Sequence, residues 1–242
     1  LGRLCASIAH EIDDPLASIL TYAKLIGRRL RTSASGSDEI AAAVQQLAAV
    51  EREAQRSSAI VRNLLDFARQ RPPALGDVEV RTILDEAVAL IANRAALQGI
   101  EIVREASPVP LVRVDAAQVR QAIVNLLSNA CDAMPEGGRL RIATRAVREG
   151  TAASGSSVRG GGAAYVEVQI VDQGPGIPPE HLSQIFDPFF TTKEKRTGLG
   201  LSVVYGIMER HGGKVIVDSR TGEGTAITLR LPAGPAETTD AA

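Results

Sequence analysis

A histidine near the start of the chain has neighbours that favour nucleophilic chemistry. His10 stands in the run SIAHEIDDPL, which occupies residues 7–16. Glu11 can accept a proton from one imidazole nitrogen, and the other nitrogen is then left as a nucleophile. Pro15 cannot donate to the carbonyl of Glu11, so a helix here is free to bend one turn after the histidine. The alternative is an ordinary solvated histidine, and these neighbours favour the reactive interpretation.

Helical spacing places His10 on the outside of its helix. Apolar residues recur every three or four positions and form one arc on a helix that turns about 100° per residue. His10 lies roughly 165° from the centre of that arc, so we expect its imidazole to face solvent. The apolar positions are Leu4, Ile8, Ile12, Leu16, Ile19, Leu20, Ala23, Ile26 and Leu30.

Two asparagines in the run NLLSNACDAM, residues 125–134, share one helix face. Asn125 and Asn129 are four positions apart, and Asp132 follows three positions later. Amide oxygens on one face suit Mg²⁺, a hard ion that keeps much of its water and bridges phosphates. The alternative is a pair of solvated polar residues with no ligand.

An apolar strand ends at Asp172 in the run VQIVDQGPGIP, residues 168–178. Gly174 and Gly176 allow a close backbone turn directly after it. A carboxylate at the end of a strand can accept a hydrogen bond from the amino group of adenine. The alternative is an ordinary strand-to-turn transition capped by an aspartate.

Aromatic residues, basic residues and glycines follow in a third stretch. The run IFDPFFTTK, residues 185–193, contains three of the four phenylalanines, and a core patch is the alternative interpretation. Gly198 and Gly200 then open a helix, where backbone N–H groups can approach phosphates. A fourth run, GEGT at residues 222–225, lies between the last two predicted strands and is either a plain hairpin or a wall beside adenine.

The elements that must position these residues fall into two parts. Residues 1–72 predict two helices, broken near 32–37, with Asp38 able to cap the second helix. Such a hairpin buries little alone, so we expect it to dimerise into a four-helix bundle. Residues 76–232 predict an α+β sandwich with helices near 81–97, 115–134 and 199–211 on one face of a mixed sheet. Asp115 and Gln118 predict a capping box. Residues 149–162 predict a flexible loop, and residues 233–242 a disordered tail.

Taken in order, these runs resemble the H, N, G1, F, G2 and G3 boxes of the sensor histidine kinases of two-component systems. The likeness covers nearly everything from His10 to Leu231, and the Asp-Ala-Met form at residues 132–134 is similar to the nitrogen-regulation branch. The resemblance implies a Bergerat-type ATP-binding sandwich behind the helical dimerisation domain. It also implies autophosphorylation of His10 and transfer to an aspartate of a response regulator.

The resemblance further implies roles for individual residues. Asn129 is the Mg²⁺ ligand, Asn125 a helper near the phosphates, and Thr225 a support for adenine through water, while residues 187–198 form a lid. The implied ATP-contacting set is Asn125, Asn129, Asp132, Asp172, Gly174, Gly176, Ile177, Phe186, Phe189, Lys193, Thr197, Gly198, Leu199, Gly200, Leu201 and Thr225, and the implied catalytic pair is His10 and Glu11.

Two positions depart from the family pattern. Where the family typically has Asn or Thr four residues after the histidine, this chain has Asp14. A carboxylate there repels a phosphoryl group, so we expect weak or absent phosphatase activity toward the regulator. The family often has Lys or Arg at the position of Asp132. His181 and His211 match nothing catalytic and are interpreted as surface or helix-end residues.

Composition excludes several other classes. Charges nearly balance, with 27 basic and 28 acidic residues, and no basic stripe is interleaved with aromatics, so nucleic acid is not expected as a partner. Cys5 and Cys131 have no metal-ligand spacing. No apolar run reaches the ~18 residues that span a bilayer. We therefore expect a cytoplasmic portion of the protein, which is anchored to a membrane, if at all, only through a missing N-terminal region.

Two other functions compete with the kinase hypothesis. One is an ATPase of the gyrase or chaperone type, and the other is a nucleotide-binding scaffold without kinase activity.

Overall fold

The computed structural model describes residues 16–26, 28, 41–54, 57, 72–148, 164–192 and 198–234. The chain divides into two compact units, residues 1–70 with 188–199, and residues 71–187 with 200–242. The predicted residues His10, Glu11, Lys193 and Thr197 lie outside the described residues, as do the predicted loop at 149–162 and residues 235–242.

In the first unit, the described part of residues 1–70 is helical. Residues 16–26 form helix α1, and residues 41–54 belong to helix α2. Both agree with the predicted hairpin of helices. Leu16, Leu20, Val44 and Leu47 are each about half exposed or more, at 49%, 54%, 60% and 61%. An apolar helix face that stays in water is unfavourable, because each buried leucine side chain stabilises by about 1.5–3 kcal/mol.

The second unit combines three long helices with seven strands, as the hydrophobic pattern predicts. Among the described residues the helices are α3 (Val80–Leu97), α4 (Ala116–Ala133) and α5 (Gly200–Arg210), with a short 3₁₀ turn at Pro179–His181. The strands are β1 (Gly76–Val78), β2 (Ile100–Ala106), β3 (Val112–Val114), β4 (Gly138–Arg148), β5 (Ala164–Asp172), β6 (Lys214–Arg220) and β7 (Gly224–Pro232).

The main sheet is mixed, in the order β2-β4-β5-β7-β6. β2 runs parallel to β4, and the other neighbours are antiparallel. β1 and β3 form a separate two-stranded sheet. Helices α3, α4 and α5 bury one side each and form a single apolar core with alternate residues of the sheet, such as Val166, Val168 and Ile170. The predicted layer of helices on one sheet face is confirmed.

Helix α4 begins where the sequence predicts, but its cap is built differently. The Asp115 carboxylate accepts from the backbone N–H groups of Ala117 and Gln118, both at 3.1 Å, and these bonds lower the pKa of Asp115 although burial acts to raise it. In a capping box, the Gln118 side chain would accept from the backbone N–H of Asp115. Instead, Gln118 donates to the Asp115 carboxylate, and His211 Nε2 accepts the Asp115 N–H at 3.0 Å.

His211 is therefore not a surface residue, although it does stand at the end of α5. It is 7% exposed, and its Nδ1 lies 2.8 Å from the carbonyl oxygen of Ile207. A neutral ring that donates from Nδ1 and accepts at Nε2 satisfies both contacts. The histidine thus ties the last turn of α5 to the first turn of α4. His181, at the end of the short 3₁₀ turn, is half-buried.

The C-terminal end of the described chain is attached to β3. Ala233 forms an antiparallel bridge with Val112, and the Gly234 N–H donates to the Leu111 carbonyl at 2.8 Å. These two residues belong to the segment predicted as a disordered tail.

Cys131 is a free, buried thiol in α4, and burial raises its pKa. Among the described residues, no helix is both long and apolar enough to traverse a bilayer.

Candidate functional site

The polar face of α4 meets the first residue of α5. Gln121 donates to the Asn125 side-chain oxygen at 3.0 Å, so the amide nitrogen of Asn125 points onward and donates weakly to the Gly200 carbonyl at 3.4 Å. Asn129 stands one turn later, and both of its amide atoms face Gly200. Two stretches separated by 75 residues are thus brought together, as the sequence hypothesis requires.

Gly200 keeps the amide of Asn129 accessible. A Cβ atom at this position would lie 3.5 Å from Asn129 Nδ2 and 3.6 Å from Oδ1. That is ordinary van der Waals contact, so a side chain would fit but would cover both amide atoms. Glycine is favoured here because it leaves both amide atoms of Asn129 uncovered.

Asp132 has a partner that the sequence did not indicate. Its carboxylate forms an ion pair with Arg94 Nη2 in the last turn of α3, and Arg94 Nη1 donates to Ser128 Oγ at 3.0 Å. The Asp132 side chain is 12% exposed and that of Arg94 39%. The sequence analysis did not identify Arg94, because a basic residue near the C-terminus of a helix is common and carries no specific signal.

Asp172 stands at the end of β5 and is 8% exposed. Its Oδ1 accepts from the Gly174 N–H at 2.9 Å, and its backbone pairs in register with Thr225 of β7. A Cβ on Gly174 would approach Ala133 Cβ to 2.7 Å and Asp172 Oδ1 to 2.9 Å. Glycine is required because the end of α4 packs directly on this turn. The predicted adenine-binding carboxylate is thereby fixed by the turn that packs on the end of α4.

Two further glycines allow backbone-to-backbone contact at the same end of the sheet. Gly176 and Gly224 have φ angles of 72° and 91°, which L side chains rarely adopt. A Cβ on Gly176 would lie 2.0 Å from the Arg220 carbonyl oxygen, and one on Gly224 would lie 2.1 Å from that of Asp172. The turn after β5 and the β6–β7 hairpin are therefore packed without intervening side chains.

Ser219 is a residue of this site that the sequence analysis missed. Its Oγ accepts from the Ile177 N–H at 2.9 Å and donates to the Gly224 carbonyl at 2.9 Å. The Thr225 hydroxyl lies 2.9 Å from the same atom. Because Ser219 has one hydroxyl hydrogen, Thr225 must supply the hydrogen for this third contact. Thr225, 8% exposed, is thus oriented with its lone pairs directed away from Ser219.

The aromatic stretch is described in two parts. In the α/β unit, Phe186 packs on Tyr205 of α5, with ring centroids 5.4 Å apart. In the other unit, Phe189 has a φ of 69°, an unusual conformation for a bulky residue. A Cβ on Gly198 would lie 2.4 Å from the Phe189 carbonyl carbon, so the two ends of the predicted lid approach each other closely. Leu199 is buried and Leu201 partly buried.

The α/β unit therefore arranges most of the predicted residues that it contains in two contact groups, one around Gly200 and one around Asp172. Among the described residues, no group of three or more His, Cys, Asp or Glu side chains is placed to hold a metal. An amide such as that of Asn129, with phosphate oxygens, fits Mg²⁺, which keeps several waters and needs no all-protein cage. The residues so assembled are Asn125, Asn129, Asp172, Gly174, Gly176, Ile177, Gly200 and Thr225.

A separate cleft of about 570 Å³ opens at the N-terminal end of α3. Its walls come from the start of α3, the end of β2 and the segment that follows it. None of the predicted site residues lines it. We therefore assign the cleft no part in the chemistry of the candidate site.

Two family models match the chain. One is described as His Kinase A (phospho-acceptor) domain and matches residues 1–73. The other is described as Histidine kinase-, DNA gyrase B-, and HSP90-like ATPase and matches residues 114–235. Together they cover both parts that the sequence analysis separates.

Known proteins with similar sequences are sensor kinases. Sensor kinase CckA of Brucella abortus is 37% identical over 96% of this chain, and sensor histidine kinase ZraS of Escherichia coli strain K12 is 34% identical over 96%. The matched regions make up 24% and 45% of those relatives. The chain thus spans less than half the length of either curated relative.

Solved structures agree in fold. Full-length ShkA in complex with AMPPNP has a TM-score of 0.65 and 26% identity, covering 97% of this chain and 46% of that one. Histidine kinase ThkA in complex with the response regulator protein TrrA has a TM-score of 0.72 at 24% identity, covering 98% of this chain and 63% of that one. At that identity the second likeness shows the fold alone.

Proposed function

This chain belongs to the histidine kinase family, and from that membership we propose that it is the autokinase portion of a two-component sensor. Its C-terminal half binds ATP, and the terminal phosphoryl group passes to His10 and then to an aspartate of a response regulator. The observation that carries the proposal is a pair of contacts between distant stretches: the Asn129 amide lies against Gly200, and Asp172 pairs in register with Thr225. Ala133, at the end of α4, packs on Gly174 and links the two contacts.

Asp172 is the residue that we assign to adenine. It is buried at the end of β5, where Gly174 fixes its Oδ1, and a carboxylate can accept from the exocyclic amino group. Thr225 stands opposite it in the β5–β7 register, with its hydroxyl oriented by Ser219. A purine that lacks the amino group should therefore bind less well, because it cannot form this hydrogen bond to the carboxylate.

Asn129 is the residue that we assign to Mg²⁺, with Asn125 as a second polar group on the same face. Asn125 is held between Gln121 and Gly200, so its rotamer is fixed before a ligand arrives. When bound, Mg²⁺ neutralises charge on the transferring phosphoryl group. The remaining contacts to nucleotide are assigned, as the family resemblance implies, to Phe186, Phe189, Lys193, Thr197, Gly198, Leu199 and Leu201. Asp132 is assigned a different role, because it is paired with Arg94.

The phosphoryl transfer is a displacement at the terminal phosphorus of ATP. One imidazole nitrogen of His10 forms the new P–N bond, the bond to the bridging oxygen of ADP breaks, and ADP leaves. Glu11 takes the proton from the other nitrogen. The nucleophile is the neutral form of the His10 imidazole, which has a lone pair on one ring nitrogen. The protein contributes mainly positioning and charge neutralisation.

The assembly that we propose is a homodimer of residues 1–72. The exposed leucines and valine of α1 and α2 gain burial when two helical hairpins form a four-helix bundle. We place this portion in the cytoplasm, where ATP and a response regulator are available. The presence of an aspartate at position 14 favours kinase over phosphatase activity, because a carboxylate repels a phosphoryl group. The nitrogen-regulation likeness stays a prediction.

Incubation with γ-labelled ATP tests the function. We expect label that is stable to alkali and labile to acid on the parent chain, and none on His10→Ala, because the nucleophile is absent. As a control, His10→Ala should bind nucleotide with the same affinity as the parent chain. An ATPase of the gyrase type would hydrolyse ATP without labelling itself, and a scaffold would bind nucleotide without either reaction; both results would refute the kinase assignment.

A further inference from the structure

Two arginine–carboxylate pairs join helices α3 and α4 on the α/β unit. Arg120 pairs with Glu86, and both side chains are well exposed, at 39% and 51%. Arg94 pairs with Asp132, whose side chain is only 12% exposed. The two pairs connect the same helices, but only in the Arg94–Asp132 pair does the α4 residue share a helix face with the two asparagines of the candidate site. The Arg120–Glu86 pair therefore serves as a comparison within one interface.

Asp132 lies on the face of α4 that carries the two asparagines. It follows Asn129 by three positions and Asn125 by seven, so all three fall within an arc of about 60° on a regular helix. The asparagines are neutral, whereas Asp132 brings a carboxylate to the same face. The Asp132 carboxylate repels a ligand that carries phosphates and approaches this face, because both are negatively charged.

Arg94 compensates that charge and fixes its position. The guanidinium donates from Nη1 to Ser128 Oγ at 3.0 Å and pairs through Nη2 with Asp132. Two donors in a rigid planar fork orient a partner better than a single ammonium. Ser128 and Asp132 stand one turn apart on α4, so Arg94 holds the turn that contains Asn129.

We propose that Arg94 is a positioning residue of the nucleotide site, which neutralises Asp132 and so allows phosphates to bind beside Asn129. This inference rests on the proposed function, because it requires that the polar face of α4 meets the phosphates of ATP. It changes the role of Asp132 from a nucleotide contact to the anchor of Arg94. Removal of the arginine exposes bound nucleotide to one more negative charge.

Calorimetric titration of the full chain with Mg²⁺ and a non-hydrolysable ATP analogue tests the charge. Arg94→Met keeps most of the side-chain length without the charge, and we expect about tenfold weaker binding. Asp132→Asn alone should bind about threefold more tightly. The double variant Arg94→Met with Asp132→Asn should return to within about threefold of the parent, because neither charge is then present. Arg120→Met is the matched control and should bind as the parent does.

Salt and a conservative variant separate charge from structure. The defect of Arg94→Met should shrink as salt is raised from 0.05 to about 0.5 M, since screening weakens a charge effect but not a packing defect. Arg94→Lys keeps the charge and should stay within about threefold of the parent. It also provides the test if the methionine variant fails to fold.

The outcomes are distinguishable. If the parent chain binds no nucleotide, the proposed function itself is refuted, and the role of Arg94 is refuted with it. If the parent binds and Arg94→Met binds equally well, the inference is overturned. It is also overturned if the double variant stays as weak as Arg94→Met, because Arg94 would then act only as a structural link between α3 and α4.

Discussion

The two faces of strand β5 use buried carboxylates in opposite ways. Asp172 and Glu167 are five residues apart, so their side chains point to opposite faces of the sheet. Both are buried, at 8% and 2% exposure. Asp172 accepts from the neutral backbone N–H of Gly174, whereas Glu167 accepts from Arg145 and Arg230. Guanidinium groups hold Glu167 as part of the fold, whereas a backbone amide fixes one oxygen of Asp172, the carboxylate that we propose binds adenine.

The surroundings of the two carboxylates explain the difference. On the outer face, Arg230 also lies 5.8 Å from the ring centroid of Tyr165, and long side chains from adjacent strands cover Glu167. On the helix face, glycines surround Asp172, and backbone atoms approach one another where side chains would otherwise stand. Arginine side chains cover Glu167 on the outer face, whereas glycines, which have no side chains, stand around Asp172 at the end of the strand. The comparison predicts that substitutions on the two faces separate stability from binding.

The largest effect should come from adding a methyl group beside Asp172. Gly224→Ala places a Cβ 2.1 Å from the Asp172 carbonyl oxygen, so the hairpin must shift and we expect a loss of about 3 kcal/mol or more in the free energy of unfolding. Gly222→Ala is the matched control, because its φ of 84° is similar but nothing lies within 4 Å of its Cβ. Urea denaturation measures both. Equal losses would mean that close backbone packing at Asp172 contributes nothing.

Glu167→Gln should destabilise the protein without affecting nucleotide binding. Burial alone would raise the pKa of Glu167, but hydrogen bonds and charge from Arg230 and Arg145 outweigh it and lower the pKa. Removal of the charge leaves both arginines without their carboxylate. Since Arg145 is largely exposed, we expect a loss of about 2 kcal/mol, below the usual 3–5 for a buried pair.

The pH dependence of that loss has a definite sign. A carboxyl group whose pKa is lowered by folding stabilises the protein above its ordinary pKa of 4.5, and this contribution disappears as the pH falls through the folded-state value. The difference in unfolding free energy between the parent and Glu167→Gln should therefore be full at pH 6–7 and shrink below about pH 4.5. A constant difference down to pH 3 would show that the charge of Glu167 is not responsible.

Asp172→Asn should weaken nucleotide binding while changing the stability of the protein little. The asparagine oxygen can still accept from the Gly174 N–H, so the melting temperature should change by only a few degrees. Adenine nucleotides should bind about 30-fold more weakly, since a hydrogen bond to a charged group contributes about 2 kcal/mol. Titration with ATP and with a purine nucleotide lacking the 6-amino group measures the loss. If both nucleotides bind the parent equally well, Asp172 does not recognise adenine.

Much of this architecture could be predicted from local patterns. The seven strands and the three long helices of the α/β unit follow from hydrophobic periodicity, and Asp115 marks the start of α4. Gly174 and Gly176 were expected from the sequence to allow a close turn after β5, because a residue without a Cβ is informative wherever chains approach closely. The capping box was only half correct, since Gln118 binds the Asp115 carboxylate and leaves the backbone N–H to His211.

The sequence by itself determined which elements form and which residue types are available for chemistry, because helix caps, turns and periodicity depend on neighbours within a few positions. Only the tertiary structure decided the partners: His211 with Asp115, Arg94 with Asp132, and Ser219 with Ile177. These pairs are 96, 38 and 42 residues apart. Their contacts depend on how helices pack and strands register, and a local pattern contains no information on that geometry.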